Sequence, residues 1–312
     1  MEHAGNSTST PPSGAPSIGD SPLDLPPGAV VVAFDGSVPA REAAHWAARE
    51  VAGAERPLRL LHALHWPRHE LADLDLPASA LDVDRMARAA TTTMALAVDR
   101  CRRETPGTDV EGEVVLGNAV EVLRKAAADA ALLVLGASGQ TDTPQVLLGS
   151  SADELLRTAG APVVVVRDRP TRAPGPVVIG VDGSPASERA VAFGFELAAA
   201  RGHDVVAVHT WSDIPLAALS GLVDLDRDEL AERAAAFLSA RIGEAERRHR
   251  DVRVHTATAA DHPARALLDH AAGAALLVVG RHGRARSGAP MGSVCHAVAH
   301  YARCPVAVVG PA

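Results

Sequence analysis

The chain has 312 residues, of which 47% are hydrophobic and only 3% aromatic, and its net charge is −8. This length suits two domains with cores of Ala, Val and Leu, and the negative charge disfavours nucleic acid as a partner. Three cysteines without a CxxC pair, no apolar run near the roughly 20 residues of a membrane span, and no secretion-signal pattern favour a cytoplasmic protein without a membrane partner.

Four segments follow from the composition along the chain. Residues 1–28 are rich in Ser, Thr, Pro and Gly, so we expect a disordered tail that cannot bury enough surface to fold. Residues 29–168 form a first predicted domain, 169–175 a proline-containing linker and 176–312 a second domain. Proline keeps the linker from forming helix.

Each domain is predicted to alternate strands and helices. In the first domain we expect strands at 29–34, 57–65, 109–116, 131–136 and 162–167, and helices at 39–53, 82–104, 118–129 and 150–159. In the second we expect strands near 176–181, 204–211, 252–258, 275–280 and 305–309, and helices near 186–201, 226–249, 262–272 and 293–302. This alternation predicts an α/β fold of two tandem doubly wound parallel five-stranded sheets.

The two halves repeat the same residues at strand ends. AVVVAFDGS at 29–37 returns as PVVIGVDGS at 176–184, and a later glycine pattern also appears twice. Its members are Gly136, Gly139, Gly149 and Ser150 in the first half, and Gly280, Gly283, Gly292 and Ser293 in the second. Glycines let a backbone approach a ligand, and a Ser that opens a helix offers its hydroxyl and free amides to an anion.

Asp35 and Asp182 each follow the first strand of a half. Such a residue often turns the chain into the following helix. In an α/β sheet the same position also lies at the ligand crevice, near a ribose hydroxyl or a phosphate-bound metal. Both interpretations stay open at this point.

The spacing G-x2-G-x9-G-S with an Asp after the first strand resembles the universal stress protein family of the ATP-binding type. The resemblance covers about 29–310 as two tandem domains, and it includes Leu61-His62-Ala63 and Val208-His209-Thr210 at the ends of the second strands. It implies ATP with Mg²⁺ as the cofactor. It further implies that Ala63 and Thr210 offer backbone groups to adenine, that Asp35 and Asp182 contact the nucleoside, and that the glycines and serines of both loops hold ribose and phosphates.

The family resemblance also implies a regulatory role in stress adaptation or dormancy and dimerisation through the last strands. In a tandem chain these strands, 162–166 and 305–309, can pair within the molecule, and we expect this pairing together with a homodimer. The second loop is one residue shorter than the first, with eight residues between Gly283 and Gly292. Spacing therefore favours the first site, whereas Arg281, Arg284 and Arg286 favour a triphosphate at the second.

Other functions stay as alternatives. A slow ATPase or nucleotidyl-transfer enzyme would use the same Asp and Arg residues, and a scaffold would have lost nucleotide altogether. No catalytic residue is assigned, since a P-loop, a nucleophile elbow and a reactive-cysteine pattern are lacking. His296 and His300 have the i, i+4 spacing of zinc ligands, but the HExxH glutamate is absent, so no metal ligand is assigned. His62 and His209, at strand ends, are interpreted as packing or hydrogen-bonding residues.

Overall fold

The structure is a computed structural model that describes residues 17–19, 25–54, 56–65, 83–138, 148–167, 175–211, 227–283 and 291–310. In chain order its strands are β1 (Ser17–Gly19), β2 (Val30–Ala33), β3 (Leu58–Leu64), β4 (Val110–Leu116), β5 (Leu132–Gly136), β6 (Val163–Val166), β7 (Val177–Gly180), β8 (Val205–Thr210), β9 (Val254–Ala259), β10 (Leu276–Gly280) and β11 (Val306–Val309). Its helices are α1 (Val38–Val51), α2 (Val83–Glu104), α3 (Ala119–Asp129), α4 (Ser150–Thr158), α5 (Pro185–Arg201), α6 (Arg227–Arg248), α7 (Pro263–His270) and α8 (Ser293–Tyr301). Every predicted element is present with its ends within two residues of the prediction, so the α/β class is confirmed.

The strands form one continuous sheet in the order β1-β4-β3-β2-β5-β6-β11-β10-β7-β8-β9. Neighbouring strands are parallel within each half, and β6 and β11 are antiparallel where the halves meet. Val165 lies opposite Val306 in this central pair, and all residues of both strands are buried. The expected pairing of the last strands within the molecule is therefore present.

The two predicted five-stranded sheets are therefore joined edge to edge through β6 and β11. Each half alone would leave an apolar edge strand with unpaired backbone groups, and joining the two edges removes both. One departure concerns the tail, which was expected to be disordered throughout 1–28. Ser17–Gly19 instead form β1, which pairs in parallel with Glu113–Val115 of β4.

Helices cover both faces of the sheet. One hydrophobic cluster contains buried residues of α1, α2, α5 and α6, and the other contains those of α3, α4, α7 and α8. Both clusters include residues from the two halves, so the core is continuous across the central strands. None of the helices in the described part of the chain is long and apolar enough to cross a membrane.

Helix α1, which follows β2, and helix α5, which follows β7, begin in the same way. Ser37 caps α1 by accepting a hydrogen bond from the N–H of Ala40 (3.2 Å), and Ser184 caps α5 by accepting one from Ser187 (3.2 Å). A proline follows in the first turn of both helices, where its missing N–H costs nothing. The repeated Asp-Gly-Ser segment thus turns the chain from strand into helix at the carboxyl edge of the sheet.

Candidate functional site

Each half has a pocket at the carboxyl ends of its strands. The first has a volume of about 320 Å³ and is lined by five of the predicted site residues, Asp35, Ala63, Gly136, Gly149 and Ser150. The second has a volume of about 810 Å³ and is lined by six, Asp182, Thr210, Gly280, Gly283, Gly292 and Ser293. Gly139, the remaining predicted residue, lies outside the described residues. The structure therefore brings together eleven of the twelve residues in two matching groups.

The two aspartates make the same local turn. Asp35 Oδ1 accepts a hydrogen bond from the N–H of Ser37, and Asp182 Oδ1 accepts one from Ser184, both at 2.9 Å. The glycine between each Asp and Ser adopts a positive φ angle, 79° at Gly36 and 78° at Gly183. The turn-forming interpretation is thus correct, and it holds each carboxylate at the wall of a pocket, so both interpretations of these residues are compatible.

Strand register leaves backbone groups of the second strands facing the pockets. The carbonyl of Leu61 accepts from Phe34 just after β2 ends, so Leu61 faces β2, and the carbonyl of Leu64 accepts from Gly117 on the other side. Because backbone groups alternate sides along a parallel strand, the N–H and C=O of Ala63 point to the side on which β2 has already ended. Thr210 has the same position beyond the end of β7, since the carbonyl of Val208 accepts from Val181.

The late loop of each half closes on itself and opens a helix toward the pocket. The N–H of Gly149 donates to the carbonyl of Ala137 (2.9 Å), and that of Gly292 donates to Arg281 (2.8 Å). Gly149 and Gly292 are the N-cap residues of α4 and α8, and neither helix has a side-chain cap. The first turns of both helices line the pockets, so their amides are available to a negatively charged group.

Two of the predicted glycines are explained by packing. A Cβ at Gly136 would lie 2.7 Å from the carbonyl carbon of Pro39, and one at Gly280 would lie 2.9 Å from that of Ala186. Backbone cannot retreat from such a contact as a flexible side chain can. These glycines therefore let α1 pack closely against the end of β5, and α5 against the end of β10, beside the pockets.

Gly283 has a different role, because it contacts the pocket's carboxylate. A Cβ there would lie 2.7 Å from Asp182 Oδ2. The hydroxyl of Ser184 also donates to the carbonyl of His282 at 3.1 Å. The early and late loops of the second half are thus in direct contact around one carboxyl group.

The two strand-end histidines differ. Nδ1 of His209 lies 2.7 Å from the carbonyl of Val181, and the ring packs on Phe237 with centroids 4.6 Å apart. His209 is thus a packing and hydrogen-bonding residue. Nδ1 of His62 is buried without a hydrogen-bond partner among the described residues. Burial lowers the pKa of His62, and the nearby charge of Asp35 opposes that shift.

Arg281 lines the second pocket, and its guanidinium group also makes a contact at the junction of the halves. The side chain is 7% exposed, and Nη2 donates to the carbonyl of Ala159 at the end of α4, 2.6 Å away in the other half of the chain. Burial lowers the pKa of this guanidinium, yet arginine stays charged in proteins. The predicted Arg284 and Arg286 lie outside the described residues.

Sequence reasoning missed two residues of the second pocket. Arg157, which belongs to α4 of the first half, lines this pocket together with His296 of α8. No local motif marks Arg157, and only the fold brings it across the junction of the halves. All residues found to line the first pocket belong to the first half, so the pockets differ in this respect.

Comparison with known proteins agrees with a doubled α/β unit carrying two matching pockets. The model of the universal stress protein family matches residues 28–167 and again 175–310. A universal stress protein of Mycobacterium bovis is 35% identical over 290 residues, 89% of this chain and 96% of that protein. One of Mycolicibacterium smegmatis is 35% identical over 291 residues, 90% of this chain and 97% of that protein.

A solved structure shows the same fold. The crystal structure of a universal stress protein from Archaeoglobus fulgidus superposes with a TM-score of 0.65 at 18% identity, over 91% of this chain and 96% of that one. The chain therefore belongs to the universal stress protein family, with two domains of that family in tandem.

Proposed function

We propose that the protein binds ATP with Mg²⁺ in both pockets and acts as a nucleotide-dependent regulatory protein in stress adaptation or dormancy. The observation that carries this proposal is the repetition of one pocket design. In each half a carboxylate, free strand backbone and an uncapped helix N-terminus line one cavity. Cavities of about 300–1,000 Å³ are typical of small-molecule sites.

The chemistry of each lining group fits one part of the nucleotide. The backbone N–H and C=O of Ala63 or Thr210 form a donor and acceptor pair that suits the edge of adenine. Asp35 or Asp182 can accept from a ribose hydroxyl. The first-turn amides of α4 or α8 can hold phosphate oxygens, as helix N-termini commonly do.

The second pocket is better suited to a triphosphate. It is the larger of the two cavities, and Arg157 adds a guanidinium to its lining. Arginine pairs with phosphate through two parallel hydrogen bonds. We therefore expect both pockets to bind and the second to bind more tightly, in spite of its shorter loop.

A regulatory role is supported by the way each pocket connects to the opposite half. Helix α4 begins at the first pocket, and the carbonyl of Ala159 at its end accepts from Arg281 of the second half. Helix α8 begins at the second pocket, and the carbonyls of Ala299 and His300 in its last turn accept from Arg167 of the first half at 2.5 and 2.6 Å. A nucleotide that shifts either helix would therefore act directly on the junction of the halves.

The test is mass spectrometry of the small molecules released from freshly purified protein. Adenine nucleotide in the released fraction would support the proposal. A flavin, or no nucleotide from protein that also fails to bind added ATP, would contradict it. Hydrolysis of ATP faster than about 1 s⁻¹, the lower end of the kinase range, would instead favour the alternative of an enzyme.

A further inference from the structure

A cluster of possible metal ligands lies where α4 of the first half meets α8 of the second. It consists of Asp153, His296 and His300, each offering one ligand atom, and these three atoms lie within 4.8 Å of one another. The histidines are adjacent on one face of α8, with ring centroids 4.3 Å apart. Neither half contains this set by itself.

The atoms of the cluster are close without satisfying one another. Within the described ranges no hydrogen bond or ion pair joins Asp153 to either imidazole, and Asp153 Oδ1 and His300 Nε2 are buried with no hydrogen-bond partner. The other carboxylate oxygen, Oδ2, pairs with Arg157 one turn along α4. Buried polar atoms are nearly always paired, so two unpaired atoms within this one cluster call for a missing partner.

The charges around the cluster influence its affinity for a cation. Burial lowers the pKa of His300, and the neighbouring His296, Arg167 and Arg157 lower it further. This direction favours neutral imidazole, which is the form that binds metals. The negative charge of Asp153 favours a cation, whereas the two arginines oppose it, and a site of moderate affinity is the expected balance.

We propose that Asp153, His296 and His300 bind a divalent transition metal ion, with Zn²⁺ as the best match, and so join the two halves of the chain. Two imidazole nitrogens and one carboxylate oxygen are typical of three-ligand zinc sites, whose fourth position is open. Imidazole excludes Mg²⁺ and Ca²⁺ as preferred occupants, since both select oxygen ligands.

The geometry requires only side-chain adjustment. Zinc bonds of about 2.0–2.2 Å put tetrahedral ligand atoms about 3.3–3.6 Å apart, so the outermost atoms close by roughly 1–1.5 Å. His296 is exposed and can rotate to do so. Binding would also occupy the wall of the second pocket, because His296 lines it.

The repeat explains how such a site can arise. Asp153 and His296 occupy the same position of the repeat, and Arg157 and His300 occupy another, in each case with the 143-residue offset that relates Ser150 to Ser293. Two identical domains would place like residues opposite each other at this junction. Here the two copies have diverged, and the result is one carboxylate set against two imidazoles.

The experiment titrates Zn²⁺ into the untagged full-length chain after removal of nucleotide and metal with a chelator. Calorimetry on the wild type should show one zinc site per chain, and zinc should raise the thermal unfolding temperature. His296→Gln and Asp153→Asn should each weaken binding by about tenfold or more and remove the thermal shift. His296 is exposed, so its variant should fold normally, which unfolding without zinc verifies.

His255→Gln is the matched control, because His255 lies on β9 with a side chain 59% exposed. It should bind zinc as the wild type does. Equal loss of zinc in the control and the site variants would show scattered surface binding, and wild-type affinity in His296→Gln would exclude the cluster. Either result overturns the proposal, whether or not ATP binds.

Discussion

Gly283→Ala adds one methyl group against the carboxylate of the second pocket. The new Cβ would lie 2.7 Å from Asp182 Oδ2, whereas ordinary contact begins at 3.4 Å, and among the described residues only Asp182 is found within 4 Å of it. The carboxylate therefore has to move by about 0.7 Å to restore normal packing. That movement strains its 2.9 Å hydrogen bond from the N–H of Ser184, which is worth about 0.5–1.5 kcal/mol. A loss near 1 kcal/mol corresponds to roughly fivefold weaker binding.

The assay is calorimetric titration of nucleotide-free protein with ATP and Mg²⁺. The wild type should show two sites, and Gly283→Ala should weaken one of them about fivefold while the other is unchanged. Gly243→Ala is a matched control, since the nearest atom to its Cβ would be Nη1 of Arg247 at 3.5 Å, ordinary contact in a helix. A variant that titrates like the wild type, or that weakens both sites equally, would refute the reasoning.

Three further predictions test the fold around the pockets. Arg281→Met removes the donor to the carbonyl of Ala159 and should lower the free energy of unfolding by about 1–3 kcal/mol in urea, whereas Arg265→Met, at an exposed position, should leave it unchanged. Gly194→Ala places a Cβ 2.5 Å from Cδ1 of Ile179, and this overpacking should cost about 1–3 kcal/mol in thermal unfolding. The three cysteines, Cys101, Cys295 and Cys304, are buried. Burial raises the pKa of their thiols to about 11, about 12 and about 11, respectively. A thiol reagent at pH 8 should therefore modify none of the three until urea is added.

Local patterns were sufficient to predict the elements and the members of the pockets. The spacing of apolar residues and the continuous apolar runs predicted the ends of the strands and helices to within two residues. Both kinds of pattern are strong in each half of the sequence. The repeated Asp-Gly-Ser and glycine patterns identified residues that meet at one sheet edge, since parallel strands end together. Their roles in binding ATP stay a prediction, as do the homodimer and the cytoplasmic location.

Contacts between the halves could not be predicted in the same way. Arg281 meets Ala159 across 122 positions of sequence, and the three possible zinc ligands come together only because β6 pairs with β11. From the sequence, His296 and His300 were not assigned as metal ligands, because the carboxylate that completes the cluster lies 143 positions before His296. Arg281 was likewise predicted only as a phosphate ligand, whereas the structure shows that its buried side chain also hydrogen-bonds the opposite half.

A homodimer through the central strands is excluded by their pairing within the chain. Both β6 and β11 already have two neighbours in the sheet. A second copy would have to use another surface, such as the outer strand β9, which has one neighbour among the described strands. Sedimentation at several protein concentrations would decide between a monomer and a dimer.

The number of nucleotides bound per chain tests the central claim most directly. Native mass spectrometry of metal-free protein with added Mg²⁺ and ATP should show two adenine nucleotides on each chain, one for each repeat of the pocket. A chain that carries no nucleotide at millimolar ATP would contradict the claim that the repeated glycine loops form binding sites.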